Sequence, residues 1–216
     1  MFFWQIIWEN RLVDDVGNKC KITVDGVDCI VEQRGKVWYS QKFKRGGLRY
    51  ELGICIRTGD LVWIHGPFPP GDWNDLMIFW HALKHQLHPG ECVEADDGYK
   101  AEDPEVVRAP AGVRAMEDMR WHMKRSKARR RHETINQRIK QYSVLTDRFR
   151  NDINKHLACF RACAILTQLS FDFGKRAPFE VNDYDEVWKN PLWAPLPGDV
   201  VPGDEDYDGL QYDISL

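Results

Sequence analysis

The sequence predicts an α/β fold, a mixed sheet flanked by helices with a long C-terminal helical region. Short runs rich in Val, Ile, Tyr and Trp crowd the first hundred residues between Gly, Pro and Asp turns, and helical periodicity dominates from about 113 to 173. Between these regions one amphipathic helix is followed by one short strand, so the order is strands, helix, strand, helices. The 216 residues are 43% hydrophobic and include nine tryptophans, enough to build one large domain around a core.

"KCKITVDGVDCIVEQ" (19–33) reads as a strand, a glycine-assisted bend at Asp25-Gly26, and a strand continuation. "KVWYSQKF" (36–43) alternates as a further strand. "LRYELGICIRTG" (48–59) and "LVWIHGPF" (61–68) form a hairpin turned at Thr58-Gly59-Asp60. "PPGDWND" (69–75) supplies helix-start chemistry for "LMIFWHALKHQL" (76–87), which stops at Pro89-Gly90. "ECVEAD" (91–96) is a short strand and 100–113 a loop. One helical pattern runs over 113–150 and another over 152–173. The last stretch, 182–216, sets four prolines among acids and reads as a disordered tail.

Several classes of function are excluded. The apolar run Met1–Trp8 is interrupted by Gln5, is too short to cross a bilayer and has no basic flank or cleavage site, so a membrane partner is not expected. The six cysteines sit in apolar contexts, and the one close pair, Cys159 and Cys163, has helix-face rather than zinc-knuckle spacing. Buried reduced thiols, and with them a cytoplasmic or nuclear setting, are the expectation. The net charge of −3 hides segregation, with "KRSKARRRH" (124–132) strongly basic and the tail acidic. The basic run fits a polyanion-facing patch, a solvated helix face or a nuclear-import signal equally well.

Three acids fall at element ends. Asp25 interrupts a valine-rich strand, where a charge needs a partner. Asp96 closes the short strand after the helix. If those strands are neighbours, the two carboxylates meet at one sheet edge and repel unless a hard cation binds between them; oxygen ligands select Mg²⁺ or Mn²⁺. Glu133 lies on a helical polar face with Arg129, Asn136, Gln137 and Lys140, opposite Ile135, Ile139 and Tyr142. A salt bridge on a solvated face has the same pattern, and taken alone each acid has such an ordinary reading. Asp28 and Asp97 are set aside because alternation or turn geometry turns them away.

That order resembles the RNase H-like catalytic domain of DDE transposases. "TVDGVDCIV" (23–31) is similar to the first-Asp strand of the PIF/Harbinger group and its domesticated nuclease relatives. "PPGDWNDLMIF" resembles their turn ending in an acid, here Asp75, and "EADDGY" (94–99) their Asp-x-Gly-Tyr motif, with Asp96 as the acid. Glu133 falls where the family carries its helix-borne glutamate. Arg129-x3-Glu133-x6-Lys140 is similar to the Arg-Glu-Lys signature of related insertion-sequence transposases, with Ser126 where a tyrosine is usual. The resemblance covers residues 13–181, and His132 stands where many relatives carry an apolar residue.

The resemblance implies a metal-dependent DNA endonuclease or transposase domain working by two-metal chemistry. Asp25, Asp96 and Glu133 would be the catalytic ligands. Asp75 is either a fourth metal acid or a helix N-terminal acid. Arg129, Lys140 and the run Lys124, Arg125, Lys127, Arg130 and Arg131 would contact DNA phosphate, without sequence choice. Relatives carry a helix-turn-helix region before the first-Asp strand. This chain reaches Asp25 almost at once, which implies that the region is absent and leaves three readings open: a truncated product, a domesticated remnant, or a protein relying on a separate DNA-binding partner. An oligomer is compatible with the resemblance, and the nucleus is the expected location. The alternative is a domesticated, inactive remnant that binds nucleic acid or protein through its basic helix.

Overall fold

The computed structural model describes residues 6–12, 20–96, 98–99, 105–108 and 130–175. The proposed tail and most of the basic run lie outside them. β1 (Cys20–Ile30) is the centre of a six-stranded mixed sheet. It pairs antiparallel with β3 (Arg45–Cys55) on one side and parallel with β5 (Cys92–Ala95) on the other. β3 also holds β4 (Leu61–Phe68) and the two-residue β2 (Tyr39–Ser40), both antiparallel. β6 (Val106–Arg108) adds in parallel to β5.

β1 is buried on both faces, as a central strand between two helical layers must be. Because its side chains alternate, Ile22 and Val24 pack with Leu76, Phe79 and Leu83 of the layer containing α1 (Asp75–His81). Val27 and Cys29 pack on the other face with Ile135 and Ile139 of α2 (helical through 130–139), Leu145 of α3 (Ser143–Thr146), and Phe160 and Ala164 of α4 (His156–Ser170). Asn74 caps α1, its Oδ1 accepting from Met77 N at 2.8 Å. All six cysteines are free thiols.

Five expectations change. The helix expected over 76–87 is α-helical only over Asp75–His81 and is followed by a separate 3-10 turn at Leu83–Gln86. No bend occurs at Asp25-Gly26, where β1 runs straight through with Asp25 opposite Leu52 and Gly26 opposite Glu51. The glycine answers a close approach instead, because a Cβ there would come within 2.0 Å of Asp75 Oδ1. Of 36–43 only Tyr39 and Ser40 pair as strand. Lys36–Trp38 is a tight turn, with Gly71 N donating to Val37 O at 2.8 Å. The expected loop after residue 100 contains β6, whose three residues are too few to show alternation but satisfy the outer edge of β5. The long helix expected to reach 150 ends at 139, since Phe149 N donates to Ile30 O at 3.0 Å and draws the chain back to the end of β1.

Candidate metal centre

Asp25 projects from β1 toward α2. Its Oδ1 accepts from Gly26 N at 2.7 Å and its Oδ2 from Asn136 Nδ2 at 2.9 Å, both neutral amide donors. Burial first, then the charges of Asp96 and Asp75, push its carboxyl up to about 6 against the weaker pull of Gly26 N–H and Lys42. Asp96 follows β5, the strand parallel to β1, and its Oδ1 accepts from Gly98 N at 2.8 Å. Glu133 comes from the exposed side of α2. Asp25, Asp96 and Glu133 line one pocket together with Thr23, Glu94 and His132. Thus two strand positions and one helix bring three of the predicted acids to a common space.

Asp75 takes a different place. As the first residue of α1 it lies on the opposite face of β1, over Gly26, with Oδ1 3.4 Å from Arg49 Nη1. A Cβ on Gly98 would come within 2.9 Å of both Asp75 Oδ2 and Asp96 Oδ1, so this carboxylate is wedged between two glycines beside Asp96. Burial raises its pKa, Arg49 opposes the rise, and Asp96 adds to it. Asp75 does not line the pocket that holds the other three acids.

Asp28 is turned to the α1 side as alternation requires, and Arg49 Nε and Nη2 and Ser40 Oγ all donate to it. Arg131 departs from the phosphate-contacting role expected of it. It is only 2% exposed and donates to Ile56 O at 2.6 Å. It sits four and eight residues before Ile135 and Ile139, on the same inward stripe, and the helical wheel already contained that signal. Arg130 is exposed. Lys140 is half-buried, with Nζ 5.4 Å from the Phe43 ring and its pKa lowered chiefly by burial. Lys124, Arg125, Lys127 and Arg129 lie outside the described residues.

Glu94 and His132 were not anticipated in the pocket. Glu94 pairs in register with Thr23, so it shares the α2 side, yet a four-residue strand gives too little pattern to show which way it points. His132 is buried and its Nδ1 shares a 2.9 Å hydrogen bond with Thr23 Oγ1. Burial pushes its pKa down to about 3, so the imidazole is neutral at working pH. A polar partner on β1 accounts for a histidine where an apolar residue would otherwise pack.

Among the described residues, no three Asp, Glu, His or Cys side chains stand close enough to hold an ion as a preformed group. The donor chemistry nevertheless fits a hard divalent cation. The pocket is lined by carboxylates, and the central one is raised by burial first and then by its neighbours' like charge. The family model described as DDE superfamily endonuclease matches residues 21–168, a stretch that contains every acid discussed above. Neither curated proteins nor solved structures yield a match.

Proposed function

The chain belongs to the DDE superfamily endonucleases, and from that premise we propose that it cleaves DNA phosphodiester bonds with divalent metal ions held by Asp25, Asp96 and Glu133. The observation that carries this reading is the shared pocket of those three acids, drawn from β1, the end of β5 and α2. The strand order, with β3 and the β2 and β4 strands antiparallel to it on one side of β1 and the parallel β5 and β6 on the other, supports an RNase H-like assignment. The Asp-Gly, Pro-Gly-to-Asp75 and Asp-x-Gly-Tyr motifs support a PIF/Harbinger-type member.

Bound Mg²⁺ or Mn²⁺ would supply Lewis-acid activation of the attacking oxygen and charge neutralisation at the leaving one. The chain's own residues orient the acids. The Gly26 and Gly98 amides fix one oxygen each of Asp25 and Asp96, and Asn136 fixes the other oxygen of Asp25. Asp75, held by Arg49 and absent from the pocket lining, acts as a buttress beneath Asp96. Lys42 and Lys140 provide positive charge near Asp25 for an approaching phosphate.

Nicking of supercoiled plasmid in Mg²⁺ or Mn²⁺ tests this reading. Wild type should nick and Asp25→Ala should not; equal nicking by both would refute it. A second reading, an inactive remnant that binds nucleic acid or protein, is favoured by the lack of a preformed three-residue metal group among the described residues. It predicts DNA retention in a low-salt shift assay without cleavage under any divalent ion.

A further inference from the structure

α2 is fastened to β1 at two polar points beside the pocket. His132 Nδ1 shares a 2.9 Å hydrogen bond with Thr23 Oγ1, and Asn136 Nδ2 donates to Asp25 Oδ2 at 2.9 Å. The spacings match. Four residues of helix rise about 6 Å and two residues of strand about 6.7 Å, so the two bonds form together only when the helix runs alongside the strand in one register. Ile135 and Ile139 continue the contact into the cluster that holds Val27 and Cys29. Apolar packing alone tolerates sliding by fractions of a turn, whereas two directional bonds do not. Glu133 lies between the two fastened helix residues and Asp25 is one of the two fastened strand residues.

We infer that Thr23, His132 and Asn136 are positioning residues that set the helix-borne carboxylate of Glu133 against Asp25, and so set the divalent-ion affinity and turnover of the pocket. The inference rests on the functional reading above. Thr23 and His132 line the same pocket and act through the hydrogen bond they share. Asn136 holds Asp25 directly, as a supporting hydrogen-bond donor does for a ligating carboxylate.

Mn²⁺ binding by calorimetry and plasmid-nicking kinetics test this on four variants. Thr23→Val keeps the shape and removes the hydroxyl, Thr23→Ser keeps the hydroxyl, Asn136→Ala removes the donor, and Ile135→Val is a mild core change in the same helix. Thr23→Val and Asn136→Ala should each weaken Mn²⁺ binding about tenfold. They should also lower kcat while leaving the KM for plasmid unchanged. Thr23→Ser should restore both quantities, and Ile135→Val should move neither. Wild-type Mn²⁺ affinity and kcat in Thr23→Val and Asn136→Ala, or equal losses in Ile135→Val, would overturn the inference while leaving nicking by wild type intact. If wild type itself neither binds Mn²⁺ nor nicks, the functional reading fails and this inference falls with it.

Discussion

Asp25 and Asp28 stand three residues apart in β1 and meet opposite surroundings. Asp28 faces the α1 side, is 2% exposed, and is gripped by the Arg49 guanidinium and the Ser40 hydroxyl. Asp25 faces the α2 side, accepts from two neutral amides, and is raised by burial and then by Asp96 and Asp75. Both are carboxylates withdrawn from water inside one strand, Asp28 buried and Asp25 half-buried. What separates them is charge compensation. One is completed by the protein; for the other, the proposed divalent cation would do so.

Breaking the completed side should have the largest effect. Arg49→Met leaves Asp28 buried without its cation and removes the counter-charge of Asp75. A loss of about 3 kcal/mol in urea denaturation is expected. Gly26→Ala attacks the boundary between the two faces, because its Cβ would overlap Asp75 Oδ1 and push that carboxylate away from Arg49. It should cost about 2 kcal/mol and disturb Asp96 through Asp75.

On the uncompensated side the sign reverses. With a folded pKa of about 6 against 3.8 unfolded, folded Asp25 holds its proton more tightly, so stability is fully present below about 4 and falls as pH rises toward about 6. Asp25→Asn should therefore abolish nicking yet stabilise the metal-free protein at pH 7, by on the order of 1 kcal/mol. The same substitution should remove that part of the pH slope in thermal melts. The smallest effect is expected for Glu51→Gln. Glu51 accepts from Trp63 Nε1 and Tyr99 Oη, and burial pushes it up to about 8, so its carboxyl is already neutral at pH 7. A change below about 1 kcal/mol at that pH would agree.

The legible parts of the sequence were those in which local chemistry and tertiary demand coincide. The β3–β4 hairpin at Thr58–Asp60, the cap and first turn of α1, and the two-sided apolar run of β1 all follow from neighbouring residues. The order of Asp25, Asp96 and Glu133 along strands and helix was equally readable, although Asp25 meets Asp96 from the middle of β1, where Thr23 pairs with Glu94, and not from a strand end. What was not readable came from contacts distant in sequence. Gly26 resembles a bend residue until Asp75 is seen above it. The end of α2 depends on Phe149 reaching Ile30, and β6 exists only because β5 has an open edge. Arg131 is the exception, for the periodicity that turned Ile135 and Ile139 inward pointed it inward as well.

The contrast between the two aspartates is tested most directly by titrating Mn²⁺ into the wild-type protein and into Asp25→Asn, with binding read by calorimetry and melting temperature. Asp25 completed by a cation predicts that wild type binds and is stabilised as Mn²⁺ rises, whereas Asp25→Asn melts higher without metal and gains little from it. Equal Mn²⁺ affinity and equal stabilisation in the two proteins would contradict the account.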